Sequence, residues 1–196
     1  MYVALKYLYV ASLSLALFGC HQSKETGHTV IKPDTLSLKL PGDKHVELEA
    51  ISNGKKINGK FVDASGNDVN LQDYVKTGSK LVFRFTEMDC RPCVDQEISR
   101  IKDLSTKIGH KNLLILADYE NPRGLKIFVK QNGILCTVLN CASLEIPIDS
   151  GDVSPYAFVL NRNLIANHIY TIDRLKPQKT ADYYAKIANE EFDLKP

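Results

Sequence analysis

Two apolar runs on either side of an amphipathic segment constrain the fold of this chain most strongly. The runs are KLVFRF at residues 80–85 and NLLILAD at residues 112–118, and both are typical of buried strands. The segment between them is predicted to be a helix from about Cys90 or Pro92 to Lys107 or Ile108. Its apolar residues follow one another at intervals of three or four and so share one face: Val94, Ile98, Ile101, Leu104 and Ile108. A strand, a helix and a strand in this order predict parallel pairing through a right-handed crossover.

The second half of the chain adds helices and an antiparallel hairpin to this unit. Residues 122–133 begin with a proline and end with a glycine, as helices commonly do. The segments 156–161 and 164–170 are predicted to form a hairpin, and 180–192 a helix with Thr180 as its N-cap. The prediction is therefore an α/β fold with three layers, in which helices cover both faces of a mixed sheet.

The segment before this unit is predicted to be rich in β-structure. TLSLKL at residues 35–40 and HVELEAI at residues 45–51 alternate apolar and polar side chains, and Asn-Gly and Ser-Gly pairs after them indicate turns. We therefore assign residues 35–79 to an N-terminal β-rich extension and residues 80–196 to the main domain.

The N-terminus resembles the signal of a bacterial lipoprotein. Residues 1–19 are apolar apart from a single charge at Lys6, and Cys20 follows directly, before a polar stretch. The resemblance implies that Cys20 becomes the lipidated first residue, that residues 20–34 form a flexible tether, and that the domain lies in the cell envelope outside the cytoplasm. Disulfides are stable there. An uncleaved N-terminal anchor with an incidental cysteine is the alternative.

The sequence DCRPC places two cysteines at the predicted junction of strand and helix. At a helix N-terminus the free N–H groups and the helix dipole stabilise an anion, which lowers the pKa of a thiol placed there. Arg91 adds positive charge beside Cys90, and Pro92 suits the first helical turn. Cys93, one turn further, is placed to attack a mixed disulfide formed at Cys90. The pattern therefore predicts a redox-active pair with Cys90 as the nucleophile and Cys93 as the resolving thiol.

Two other interpretations of the cysteines stay open at this point. Cys136 and Cys141 can complete a tetrathiolate zinc site with Cys90 and Cys93, or the 90–93 pair can be a purely structural disulfide, although so short a ring stabilises little. For Cys136 and Cys141 an even cysteine count favours a second disulfide. Residues five apart on a regular strand face opposite sides, however, which leaves two buried free thiols or an auxiliary redox pair as alternatives.

Two separate segments resemble the thioredoxin superfamily. LVFRFTEMDCRPC is similar to its active-site strand and motif, and the lead-in GKFVDASGNDVNLQDYVKTGSKLVFRF resembles the membrane-anchored TlpA/ResA-like branch. DVSPYAFVLN resembles the segment in which a cis-proline faces the cysteine pair. The resemblance implies a thioredoxin-like fold and a substrate-binding groove formed by Arg91, Pro92, Ser154 and Pro155.

The same resemblance implies thiol–disulfide exchange with extracytoplasmic proteins, with no cofactor and no metal. The implied activity includes the reduction of substrates such as apocytochrome c disulfides, with electrons from a membrane electron donor. Net oxidation and isomerisation of substrates stay open as alternatives. A formal net charge of +2 without a long basic run does not indicate nucleic-acid binding. A binding module that keeps the fold but turns over no substrate is the alternative from a different class.

Several residues differ from the patterns of related proteins. Peroxiredoxins need Thr or Ser and Pro where this chain has Glu87 and Phe83, and copper chaperones of related fold usually have three residues between their cysteines. Arg84 replaces the buried Asp of thioredoxins, and Asp89 precedes Cys90. Glu97 is interpreted as a solvated charge on the helix rather than as a match for the Glu that envelope members carry.

Overall fold

The computed structural model describes residues 41–150 and 155–193, and the chain between these limits forms one mixed sheet with helices on both faces. The strands are β1 (Phe61–Asp63), β2 (Asp68–Val69), β3 (Lys80–Thr86), β4 (Leu113–Asp118), β5 (Thr137–Asn140), β6 (Tyr156–Leu160) and β7 (Ala166–Thr171). The helices are α1 (Pro41–Ser52), α2 (Leu71–Val75), α3 (Arg91–Ile108), α4 (Pro122–Asn132) and α5 (Pro177–Glu191), and 3-10 turns span His110–Asn112 and Pro147–Ser150.

The sheet contains both parallel and antiparallel pairs, as predicted. Its strand order is β2-β1-β5-β4-β3-β6-β7. The central strand β3 pairs in parallel with β4, with Phe83 opposite Ile115, and antiparallel with β6, with Phe83 opposite Ala157. The α/β prediction with a mixed sheet is confirmed, including the strand–helix–strand unit from residue 80 to residue 118.

Two apolar clusters lie on the two faces of the sheet, and β3 contributes to both because its side chains alternate. Phe83 and Phe85 pack with residues of α3, α4 and α5, whereas Val82 packs with residues of α2 and with the segment 144–148. Burial of these side chains is the main stabilising contribution. It also fixes the end of β3, where α3 begins.

The region before β3 differs in part from the prediction. Residues 45–51 were expected to form a strand and lie instead in α1, so that prediction is wrong. Leu48 and Ser52 are four residues apart and face the body of the protein, where Ser52 Oγ accepts a hydrogen bond from the Ile148 N–H at 2.8 Å. This tertiary contact requires helical spacing, which the short alternating pattern did not reveal.

Strands β1 and β2 form a hairpin that extends the main sheet, since β1 also pairs with β5. Residues 61–69 of the predicted extension therefore belong to the same sheet as the strands after residue 80. The predicted strand 35–40, the leader 1–19, Cys20, the tether 20–34 and Ser154 lie outside the described residues. Within the described ranges, no helix combines the length and apolar character needed to cross a bilayer.

The C-terminal helix begins earlier than predicted. Pro177 occupies its first turn and Lys176 is the N-cap residue, so the prediction of Thr180 as N-cap is wrong. Thr180 is fully buried inside the helix. A proline at the start of a helix has no N–H that needs a partner, which explains why the helix extends back to this residue.

The free cysteines flank β5 and lie on opposite faces of the sheet. Cys136 packs against the cluster that contains α3, and Cys141 is buried in the other cluster. Both are free thiols, so the favoured prediction of a second disulfide is wrong. The strand geometry explains this, because Cys136 and Cys141 are an odd number of positions apart and side chains alternate between the two faces of a sheet. The same placement separates Cys141 from Cys90 and Cys93 and removes the basis for a tetrathiolate site.

Candidate active site

Cys90 and Cys93 form a disulfide at the N-terminus of α3. Cys90 is the N-cap residue, and its carbonyl oxygen accepts hydrogen bonds from the N–H groups of Cys93 at 2.8 Å and Val94 at 3.1 Å. Cys90 is exposed and Cys93 is half-buried. Pro92 is exposed within the first turn of the helix. An external thiol can therefore reach Cys90 more readily than Cys93.

A compact turn between β3 and α3 holds Cys90 in this position. The Asp89 carboxylate accepts a hydrogen bond from the Thr86 N–H at 2.7 Å, and the Asp89 N–H donates to the Thr86 carbonyl at 3.2 Å. The Glu87 N–H donates to the carbonyl of Asp118 at the end of β4. These bonds connect the turn to two neighbouring strands. Asp89 therefore closes the turn through its carboxylate.

The two arginines near the disulfide have different partners. Arg91 forms an ion pair with Asp95 at 2.9 Å, and its guanidinium carbon lies 5.1 Å from the centre of the Phe128 ring. Arg174, in the connection between β7 and α5, points Nη1 at Cys90 Sγ from 3.9 Å. Sequence reasoning missed Arg174, because it belongs to no motif and lies far from Cys90 along the chain. No signal in a single sequence connects the two.

Pro155 lines the same groove as the disulfide. It is buried immediately before β6, and its carbonyl accepts a hydrogen bond from the Ile172 N–H at 3.0 Å. Pro155, Cys90 and Cys93 line an open groove of about 610 Å³. Its other walls come from α1, the end of β7 and the start of α5: His45, Val46, Glu49, Tyr170, Thr171, Ile172, Asp173, Arg174, Leu175, Lys176 and Lys179. Arg91 and Pro92 do not line this groove.

Glu97 is buried, so the interpretation as a solvated charge is wrong. Only 1 % of its side chain is exposed, and one carboxylate oxygen pairs with Arg100. The other oxygen has no hydrogen-bond partner among the described residues. Burial raises the pKa of Glu97, and the neighbouring Arg100 opposes this rise. The cause of the burial is α5, which brings Tyr184 against this part of α3.

Arg84 is part of a buried ion pair that lies away from the disulfide. Its guanidinium donates to both carboxylate oxygens of Asp149, at 2.8 and 3.3 Å, and to the carbonyls of Cys141 and Ala142. Asp149 also accepts a hydrogen bond from the Tyr156 hydroxyl at 2.7 Å. Because Arg84 alternates with Phe83 and Phe85 along β3, it faces the other side of the sheet from α3. The pair connects the segment 141–149 to the central strand.

The remaining thiols are poorly reactive in this environment. Burial raises the pKa of Cys136 to about 11 and that of Cys141 to about 12. At neutral pH both are therefore almost entirely protonated, and the thiolate is the reactive form. In residues 41–150 and 155–193 no cluster of three or more His, Cys, Asp or Glu side chains is placed to hold a metal ion.

Comparison with solved structures places this arrangement in a known architecture. Peroxidoxin BcpB from Mycobacterium tuberculosis matches with a TM-score of 0.53 and 12 % identity, over 70 % of this chain and 98 % of that chain. A thiol:disulfide interchange protein from Bacteroides sp. matches with a TM-score of 0.51 and 12 % identity, over 72 % and 91 %. The fold is thioredoxin-like. No protein-family model and no curated protein matches the sequence.

The low identities to these structures show the fold alone. The peroxidoxin similarity illustrates the point, since Glu87 and Phe83 occupy the positions where peroxiredoxins need Thr or Ser and Pro. The chemistry of this chain must therefore be argued from its own residues.

Proposed function

We propose that this protein is a thiol–disulfide oxidoreductase of the cell envelope, of the membrane-anchored TlpA/ResA-like kind, which exchanges disulfides with extracytoplasmic proteins. The observation that carries the proposal is the Cys90–Cys93 disulfide, whose exposed sulfur opens into a groove beside Pro155. The neighbour from Bacteroides sp., named a thiol:disulfide interchange protein, supports the same chemistry. The lipoprotein-like leader supports the location.

The exchange proceeds in two steps that conserve electrons. In the reduced protein the Cys90 thiolate attacks one sulfur of a substrate disulfide, which forms a mixed disulfide and releases the other substrate sulfur as a thiolate. Cys93, after losing its proton, attacks Cys90 Sγ, which forms the Cys90–Cys93 disulfide and releases the second substrate thiolate. The substrate gains two electrons and two protons, and the protein loses them. The reverse sequence oxidises a dithiol.

Return to the dithiol form requires an external reductant. For the reductive direction we propose a membrane electron donor, which reduces the Cys90–Cys93 disulfide by the same exchange steps. The lipid at Cys20 would keep the domain at the surface where such a donor is located. The direction of flow depends on the potential difference between partners, and about 30 mV already corresponds to about 1.4 kcal/mol.

An insulin-reduction assay with dithiothreitol tests the exchange activity. The full chain, purified in mild detergent, should accelerate insulin reduction, and Cys90→Ser should abolish the acceleration. Cys141→Ser is the matched control, because Cys141 is a buried free thiol on the other side of the sheet, and this variant should keep the activity. Equal rates for wild type and Cys90→Ser would contradict the proposal and favour a binding module without turnover.

The envelope location has its own test. Cells supplied with labelled fatty acid should incorporate the label into the wild-type protein and not into Cys20→Ala, whereas Cys136→Ala should be labelled normally. Absence of label from the wild type would contradict lipid anchoring and favour an uncleaved N-terminal anchor.

A further inference from the structure

Some of the positively charged side chains that line the groove have an acidic partner and others do not. The groove contains three exposed cationic side chains, Arg174, Lys176 and Lys179, from the β7–α5 connection and the first turns of α5. Of these, Lys176 forms an ion pair with Asp173 at 3.2 Å. None of the ion pairs between described residues includes Arg174 or Lys179. Two positive charges therefore remain available on this wall.

The acidic residues of the groove are already engaged with backbone groups. The Asp173 carboxylate accepts a hydrogen bond from the Leu175 N–H at 2.8 Å in addition to its ion pair. The Glu49 carboxylate accepts a hydrogen bond from the Thr171 N–H at 2.7 Å. Both carboxylates stabilise the wall itself. Since the three cations outnumber the two carboxylates, the groove presents net positive charge to a bound molecule.

The surface next to the active-site turn also includes an acidic region. A second hollow, of about 420 Å³, lies beyond the C-terminal ends of β3 and β4, and its charged lining consists of Glu87, Asp118 and Glu120. Glu87 belongs to the same turn as Cys90, whereas Arg174 approaches Cys90 Sγ from the β7–α5 connection. The unpaired cations, and not this acidic hollow, line the groove that contains the disulfide.

Arg174 lies where it can contact the residues next to a reacting cysteine. A substrate sulfur must approach Cys90 Sγ closely, and Arg174 Nη1 is only 3.9 Å from that atom. A guanidinium binds a carboxylate through two parallel N–H groups, and such charge-assisted bonds are stronger than neutral ones. Val46 and Leu175, 64 % and 81 % exposed, add apolar surface to the rim of the same groove.

We propose that the groove selects substrates in which Asp or Glu flanks the reacting cysteine, and that Arg174 and Lys179 bind this carboxylate. The proposal rests on the exchange activity proposed above and names the substrate class that the groove accepts. Complementary charges increase the association rate and reject partners of like charge. Protein segments with Lys or Arg at the same position are accordingly poor substrates.

Three model substrates test the selection. They are peptide disulfides that differ only in the residue beside the reacting cysteine, which is Glu, Gln or Lys. The measured quantity is the second-order rate constant with the reduced full chain, divided by that of the same peptide with 2-mercaptoethanol. This division removes the intrinsic effect of the neighbouring charge on the disulfide. We expect the order Glu, Gln, Lys, with about a fivefold ratio between Glu and Lys at low salt. High salt should reduce the ratio, because both cations are exposed.

Variants locate the effect. Arg174→Gln and Lys179→Gln should each reduce the ratio between the Glu and Lys peptides, and the double variant should bring it close to one. Lys186→Gln is the matched control, because Lys186 lies on the same helix, pairs with Glu190 and does not line the groove. Since the readout is a ratio within one variant, an effect of Arg174 on the reactivity of Cys90 cancels.

The outcomes separate the two proposals. Failure of all three peptides to react would refute the exchange activity. Reaction of all three at equal normalised rates would leave that activity intact and overturn the selection for acidic substrates. A preference that persists unchanged in the double variant would also overturn it, since the recognising charges would lie elsewhere.

Discussion

Replacing Arg174 by Gln should reduce the thiolate population of Cys90 in the reduced protein. Arg174 Nη1 lies 3.9 Å from Cys90 Sγ. Two unit charges about 4 Å apart attract each other by about 1 kcal/mol in water and more at lower dielectric constant. Because both side chains are exposed, the value for water applies. A loss of about 1 kcal/mol corresponds to a thiolate-to-thiol ratio about fivefold lower at a given pH.

The same substitution should make the protein more strongly reducing. A stabilised thiolate favours the reduced form, so its loss favours the disulfide. Since about 30 mV corresponds to about 1.4 kcal/mol for this two-electron couple, the reduction potential should fall by about 20 mV at a pH where the thiolate is the main reduced form, and by less at lower pH. Equilibration with glutathione buffers of defined ratio measures this shift, and the rate of alkylation by iodoacetamide across pH measures the thiolate population.

Arg91→Gln is the decisive comparison, because Arg91 is adjacent to Cys90 in sequence but is paired with Asp95 and lies over Phe128. Its removal should change the alkylation profile less than the removal of Arg174. If Arg91→Gln has the larger effect, the assignment of Arg174 as the charge next to Cys90 is wrong. Added salt should weaken the Arg174 effect, and a salt-independent effect would also argue against a direct interaction between exposed charges.

Three further predictions concern the interior. Burial raises the pKa of Glu97 above 4.5, so the native state holds this proton more tightly than the unfolded state does, and its stability falls as pH rises through this range. As pH rises from about 4.5, the unfolding free energy of the wild type should therefore fall relative to that of Glu97→Gln. A difference between the two that is independent of pH would refute this. Asp149→Asn leaves Arg84 buried without its partner and should cost about 3–5 kcal/mol in urea unfolding, whereas the exposed control Asp95→Asn should cost about 1 kcal/mol or less. Equal costs would show that the buried pair is not stabilising. In the native protein at neutral pH, iodoacetamide should leave Cys136 and Cys141 unmodified and should label both in denaturant, since burial raises the pKa of each thiol. Rapid native labelling of Cys141 would mean that its site opens.

The sequence predicted those elements whose patterns are long and regular. Helix α3 has five apolar residues on one face, and β3 and β4 are continuous apolar runs, so the unit that carries the cysteine pair follows from periodicity. Helix α1 was missed because seven alternating residues fit a strand equally well. Contacts with distant segments decide between the two, such as those of Ser52 with Ile148 and of Glu49 with Thr171.

The site residues that belong to a sequence motif were predictable. Those that tertiary packing brings to the site from distant parts of the chain were not. The placement of Cys90 at the start of α3 followed from the local sequence. Arg174 and the burial of Glu97 depend on how the β7–α5 connection and α5 pack, which no local pattern encodes. For Cys136 and Cys141 the strand period indicated opposite faces, and the even cysteine count was the misleading argument.

Two different residues hold the Cys90 backbone and place a charge near its sulfur. Asp89 does the first and Arg174 the second. The Asp89 carboxylate secures the backbone before α3, so substitution there disturbs the architecture. Arg174 is exposed on a connection outside both apolar clusters. Its side chain can therefore change over evolutionary time at little structural cost. Substitutions at Arg174 can therefore change the reduction potential of the protein without disturbing the turn that holds Cys90.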